Sequence, residues 1–381
     1  MMNLPRSKGI FFGQAKRTFT LIPNTANKVF LKVALWRTSI ALLSSAISLA
    51  QSTALIDQVV QPFVSDGKFM GSVLVARGND VLFSKGYGYA NLEWGMPNSP
   101  TTKFALGSIT KQFTAASILL LEERGRLKVG DPIKKYWPNA PSIWNAITIF
   151  QLLTHTSAIP NITDFPEFQK IERFPMTPEE IIALVRDRPL EFEPGTRMIY
   201  SNSGYVVLGY LIEKVSGESY QKFVRENIFD PLGMKDSGYA PNSDVITQRA
   251  SGYVTKAGGF ANAGYVDMTT LFSAGGIYST AEDLLRWEQG LFGGRLLSET
   301  SLRKMTTPFK TNYAFGLRVG SMAGRKMFFD GGSLAGFNSF LIYFPEERLT
   351  VITLGNVNGE APSKIAMQLA TLAHGERAHE R

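Results

Sequence analysis

The chain contains no cysteine, which removes disulfides, thiolate zinc sites, iron–sulfur clusters and cysteine nucleophiles together. Histidine is nearly as scarce. Of the three, His374 and His379 fall in the last eight residues and only His155 lies in the body, so a multi-histidine metal centre lacks ligands and neither metal nor cofactor is expected. No carboxylate precedes Asp57, whereas Arg6, Lys8, Lys16, Arg17, Lys28, Lys32 and Arg37 do. Removing those seven from the 40 Lys and Arg leaves 33 against 32 Asp and Glu, so all but about one unit of the net charge of +8 belongs to the leader. A nucleic-acid partner is therefore not expected. Low-complexity tracts, charge blocks and fixed-period repeats are also missing after residue 50. At 44% hydrophobic and 19% charged over 381 residues, the chain can bury a sizeable core.

What the first fifty residues do hold is a basic segment followed by the apolar run Ser39 to Ala50, which ends Ser48-Leu49-Ala50. Basic residues, a short apolar stretch and small residues at the −3 and −1 positions form a secretory signal. The expectation is a leader over residues 1–50, cleavage after Ala50, and an exported domain, periplasmic or secreted, over 51–381. A start called too far upstream, or an acid-free organellar transit peptide, also fits so long a leader. Ser, Gln and Thr interrupt the uncharged stretch, so a membrane is reached only through an uncleaved leader.

Strand patterns sit at both ends of the body. Ser72–Ala76 and Val81–Ser84 flank Arg77-Gly-Asn-Asp80 and read as a β-hairpin, while Met327–Phe329, Ser339–Phe344 and Leu349–Leu354 are three further strand-like runs. Between them the periodicity is mostly helical: Thr110 to Arg124, Pro178 to Arg186 after Thr177, Ser203 to Val215 closed by Ser-Gly, Tyr220 to Ile228, and Ala281 to Gln289 after Thr280. The architecture that accommodates this is α+β, one antiparallel sheet assembled from both chain ends and flanked by helices, with a mostly helical insertion over roughly 116–250.

Ser108-Ile-Thr-Lys111 stands where the loop Phe104–Gly107 enters an apolar helix. Three residues apart on a helix, the two side chains share a face. A serine hydroxyl needs a neighbouring base, and a desolvated lysine can be one. The pair alone is equally an N-cap serine beside a solvated lysine. Tyr200-Ser201-Asn202 adds a phenolate able to accept a proton and an amide able to orient a lysine or hold a carbonyl, and Asp330-Gly-Gly-Ser333 adds a glycine-rich strand segment.

In order and content these segments resemble the β-lactamase-related serine hydrolases, the group of class C β-lactamases, D-alanyl-D-alanine carboxypeptidases, D-aminopeptidases and family VIII esterases. The resemblance extends through Gly86-Tyr-Gly-Tyr-Ala90, Phe104 to Thr114, Leu152-Leu-Thr-His-Thr-Ser157, Pro194-Gly195, Pro231-Leu-Gly-Met234, Ala274-Gly-Gly276 and Asp330 to Phe337. It implies a β-lactamase/transpeptidase-like fold and an acyl-enzyme on Ser108. Lys111 would be its partner base, Tyr200 the general acid/base, and Asn202 with Asp330, Gly331, Gly332 and Ser333 the substrate-binding set. The backbone N–H groups of Ser108 and Ser333 would form the oxyanion hole. The implied partner is a small-molecule or peptide substrate, taken as ester, amide or D-amino-acid peptide, with weak β-lactam recognition included. The alternative from another class is a non-catalytic, penicillin-binding-like or self-assembling relative that binds peptides.

One departure bears on substrate. The third motif of the group is usually K-T-G or H-x-G, and here Asp330 takes the cation's place. Two unit charges about 4 Å apart interact by roughly 4 kcal/mol at an effective dielectric of about 20, so an ionised Asp330 is expected to penalise anionic substrates and to favour neutral or ammonium-bearing ones. Arg325 and Lys326 are the nearby cations that could restore the charge. His155 reads as a structural residue. Tyr87, Trp94, Phe165, Phe168 and Phe174 are candidates to line an acyl pocket. Two other motifs fail: Gly331-Gly-Ser333-Leu-Ala335 falls one residue short of G-x-S-x-G, and Gly86-Tyr-Gly88 leads to Ala-Asn rather than into a dinucleotide-binding helix.

Overall fold

The computed structural model of the chain describes residues 53–375 apart from 240 and 242; the expected signal segment lies outside them. A helix over residues 53–65, α1, leads into strand β1 (Gly71–Arg77). Along β1, Val73 and Val75 belong to one apolar cluster and Leu74 and Ala76 to another. Because a strand turns successive side chains to opposite faces, both faces of this sheet must be covered. Gly78 takes a positive φ of 59° in the tight turn to β2 (Asp80–Tyr87), the expected hairpin.

The chain then builds helices α2 (Thr110–Glu123), α3 (Asn202–Ser216), α4 (Met268–Gly275) and α5 (Ala281–Phe292) before returning to strand. Strands β3 (Arg318–Met322), β4 (Arg325–Leu334), β5 (Phe337–Phe344) and β6 (Leu349–Gly355) precede a last helix, α6 (Ala361–Gly375). The six-stranded sheet runs β3-β4-β5-β6-β1-β2 and is antiparallel throughout. The pairing of β6 on β1 joins the two chain ends as expected.

Terminal helices α1 and α6 cover one face, where Ile56, Val60, Ile365 and Leu369 meet Val73, Val75, Ile342 and Val351. The helical body covers the other, with Phe113, Leu119 and Trp287 against Leu74, Leu341 and Ile352. The outer helices α1 and α6 and strand β3 go beyond the sequence reading. So does one local detail: the helix from Tyr220 stops at Val224 and widens into a π turn over Arg225–Phe229. Pro231 follows, and its ring crowds the carbonyl four residues back and supplies no N–H, which favours the wider turn.

Helix α3 begins where Ser201 accepts from the Gly204 N–H (3.4 Å) and ends at Gly217, whose φ is +80°. It lies close to α4 because Gly209 has no side chain. A Cβ there would sit 2.0 Å from Ser273 Oγ and 2.4 Å from its Cβ. Gly209→Ala is therefore expected to lower the unfolding free energy by about 1–3 kcal/mol, the range for overpacking, which urea denaturation would register as a lower midpoint.

Candidate active site

Ser108 occupies a single 3-10 turn, Gly107–Ile109, that runs straight into α2. Gly107 has φ +57° and lies so near β4 that a Cβ would stand 2.8 Å from Ser333 N. Gly332 is equally constrained, since a Cβ there would fall 1.8 Å from Leu106 O, the oxygen that Ser339 Oγ donates to at 2.7 Å. The two glycines thus let the strand carrying Ser333 press against the turn carrying Ser108, the arrangement a two-amide oxyanion hole requires.

Lys111 is fully buried. Its Nζ lies 3.1 Å from Ser108 Oγ and donates to Asn202 Oδ1 and to Ala274 O, each at 2.8 Å. Ala274 lies in the last turn of α4, where carbonyls have no partner within the helix, so its oxygen is free to accept. Two residues before it Phe272 adopts the strained φ 39°, ψ −131°, and the neighbouring Ser273 O accepts from Thr114 Oγ1 at 2.7 Å. A neutral amine has two N–H groups and one lone pair. With the two donors directed at carbonyl oxygens, the lone pair is left facing Ser108 Oγ. Burial lowers the Lys111 amine to about 7, with the Asp330 charge pulling the other way.

Tyr200 Oη stands 2.6 Å from Ser108 Oγ. Burial foremost, and then the Asp330 charge, push its phenol well above the ordinary tyrosine range, against the opposing effects of the Ser108 bond and Arg318. The group is therefore a neutral phenol, able to donate a proton, and not the phenolate expected from sequence. His155 fixes this segment: its Nδ1 accepts from Ser201 N–H at 3.1 Å and its ring packs 4.3 Å from that of Tyr200. Burial holds the imidazole well below its usual pKa, in keeping with a structural role. Asn202 donates its backbone N–H to Asn161 Oδ1 (2.9 Å) and its Nδ2 to Thr163 Oγ1 (3.2 Å), which directs Oδ1 at the lysine.

Asp330 points into the same cluster and is nearly buried. Burial raises its carboxyl, while the Gly331 N–H, Arg318 and Lys111 oppose that rise. The cation beside it is neither of those expected. Arg325 is paired with Glu347 at 2.7 Å and Lys326 lies over the Phe328 ring, whereas Arg318 of β3 places Nε 3.8 Å from Asp330 Oδ1. Nothing in the sequence near Leu317-Arg318-Val319 signals this; it follows from β3 pairing with β4, with Arg318 opposite Phe329.

Two hollows meet at Ser108. One, of about 440 Å³, is lined by Ile162, Phe168, Glu172, Val206 and Leu271. The other, of about 700 Å³, is lined by Tyr200, Arg318, Asp330, Asn338 and Asn358. Of the five aromatic candidates only Phe168 lines either. Tyr87 is a core residue donating to Asp57 Oδ1 (2.7 Å), Phe165 stacks under the Arg188 guanidinium, and Trp94 and Phe174 are exposed.

If Lys111 is the base, kcat/KM on a neutral ester should rise with pH along a limb centred about pH 7, since the amine must lose its proton to act. Asp330→Asn removes the charge that holds the ammonium form in place, so the limb should move to lower pH. An unmoved limb, or one moved upward, would contradict this coupling.

The arrangement is that of an active-site serine hydrolase, and residues 56–376 match the family model described as Beta-lactamase. The chain belongs to that family. Among its relatives, the putative penicillin-binding protein PbpX of Bacillus subtilis (strain 168) is 31% identical over 308 residues, covering 80% of this chain and 75% of that protein. The octameric penicillin-binding protein homologue from Pyrococcus abyssi superimposes with a TM-score of 0.75 at 31% identity, over 84% of this chain and 77% of the other. A D-stereospecific amidohydrolase from Streptomyces sp. gives a TM-score of 0.72 at 25% identity, over 83% and 97%. The fold is accordingly the penicillin-binding/β-lactamase fold.

Proposed function

We propose that the protein hydrolyses esters or amides, including amides of D-amino acids, through an acyl-enzyme on Ser108. The observation that carries the reading is the placement of Ser108 Oγ between Lys111 Nζ at 3.1 Å and Tyr200 Oη at 2.6 Å. In the forward step Oγ bonds to the substrate carbonyl carbon as its proton passes to Lys111, and the carbonyl oxygen becomes an oxyanion facing the Ser108 and Ser333 N–H groups. The carbon–leaving-group bond then breaks as Tyr200 supplies a proton to the departing oxygen or nitrogen, and is itself reprotonated from Lys111. Water repeats the sequence on the acyl-enzyme.

The name of the Streptomyces relative, a D-stereospecific amidohydrolase, supports the amide arm. A purely binding relative would have no use for an amine buried beside a hydroxyl at such desolvation cost. The basic and apolar leader supports action after export. The decisive experiment is intact mass spectrometry after incubation with a fluorophosphonate. A single adduct mapped to Ser108 is expected, and an adduct elsewhere or none would refute the assignment.

A further inference from the structure

A further hollow, of about 290 Å³, does not reach Ser108. Its walls include Gly78 in the β1–β2 turn, Glu288 and Phe292 of α5, Tyr343 of β5, Arg348 in the β5–β6 turn and Thr350 of β6. Along β5, Ser339 marks the end near the nucleophile, where its Oγ donates to Leu106 O. Tyr343 lies four residues further on, about 13 Å away at roughly 3.3 Å per residue. The hollow is therefore a separate site.

Helix periodicity puts Glu288 there. Leu284, Glu288 and Leu291 fall on one side of α5 and are buried, while Glu282 and Arg286 pair at 2.6 Å on the other. Among the described residues no group hydrogen-bonds Glu288 Oε2. Burial raises the carboxyl to about 8, and no neighbouring cation offsets the rise. Buried polar atoms are overwhelmingly paired, so this one calls for a partner that the chain does not supply. At the rim, Arg348 is exposed and hydrogen-bonded to the Tyr343 phenol, and among the described residues it pairs with no carboxylate. Gly78 makes room for it, since a Cβ there would stand 3.4 Å from Arg348 Cζ. The hollow thus has an unpaired carboxyl at its buried end and a guanidinium without a counter-ion at its mouth, with Phe292 stacked on Tyr343 beside them.

We infer that this hollow binds a small zwitterion, an α-amino acid, with its ammonium on Glu288 and its carboxylate on Arg348. A simple amine would leave Arg348 unanswered, and a simple acid would leave Glu288 unanswered. A molecule carrying both charges satisfies each end with a charge-assisted hydrogen bond. The volume falls just below the roughly 300–1,000 Å³ typical of drug-sized ligands, which restricts the occupant to a small molecule. The inference goes beyond hydrolysis and stands whether or not Ser108 is the nucleophile.

The test is a ligand-observed NMR titration of the full chain at pH 8 with glycine, which carries both charges and little else, against methylamine and acetate, which carry one each. Glycine should bind, and more tightly than either. Glu288→Gln and Arg348→Gln should each weaken glycine binding about tenfold or more, the scale of one lost hydrogen bond to a charged group. Arg348→Lys should retain part of the affinity, because the charge returns without the planar fork. Circular dichroism verifies the fold of each variant, and Glu288→Gln changes neither size nor shape. Absence of glycine binding, methylamine or acetate binding as tightly as glycine, or binding that survives Glu288→Gln or Arg348→Gln overturns the inference. Failure of the Ser108 reading is separate: it appears as ester turnover persisting in Ser108→Ala, which this titration does not measure.

Discussion

Ser108→Ala is expected to abolish turnover of p-nitrophenyl acetate, with a fall of about four to six orders of magnitude, the scale seen when a nucleophile is deleted and oxyanion stabilisation alone remains. The protein should stay folded. Ser108 is only partly buried, and its loss removes two hydrogen bonds at a site open to water, so the unfolding free energy should change by less than about 1 kcal/mol. Steady-state kinetics paired with thermal denaturation would separate the two effects. Retained esterase activity would show that another group attacks.

Replacing the flanking groups should divide the reaction into its proton transfers. Lys111→Met keeps length but removes the base, and should slow ester and amide turnover alike, by about 10²–10⁴. It also strands Asn202 Oδ1 and Ala274 O, at a stability cost of about 1–3 kcal/mol. Tyr200→Phe should discriminate between substrates. A nitrophenolate leaves without a proton whereas an amide nitrogen cannot, so the phenol's loss should affect amide hydrolysis far more than nitrophenyl ester hydrolysis. Equal losses on both substrates would place Tyr200 in the first proton transfer and exclude the relay.

The parts of this site that depend on local spacing were legible. Ser108 and Lys111 share a face because a helix puts them there, and the neighbouring apolar residues declare the helix. The Tyr200–Asn202 segment and Asp330–Ser333 were legible as motifs. What could not be read was anything set by the packing of separate segments. Arg318 gains its place from strand pairing, not from its neighbours in sequence. The Ala274 carbonyl reaches Lys111 only through the packing of α4 against α2, and no feature of Met268–Gly275 marks the break at Phe272. The neutral state of Tyr200 likewise depends on burial and on Asp330, both consequences of tertiary structure. Helix α1 was legible in principle, through Ile56, Val59, Val60, Phe63 and Val64 at helical spacing, but it adjoins the leader and is easily taken for linker.

The pairing of Gly71 with Gly355 and of Arg77 with Leu349 constrains how the molecule is made. A nascent chain on the ribosome holds its hairpin β1–β2 from the start, yet the partner for the exposed side of β1 is among the last segments synthesised. Until it emerges, that hairpin presents an unpaired edge along a strand with the apolar run Val73–Ala76, the kind of surface on which chaperones act and aggregates begin. Translation halted before Leu349 would release a polypeptide that carries Ser108, Lys111 and Tyr200 yet lacks the strand that closes the sheet.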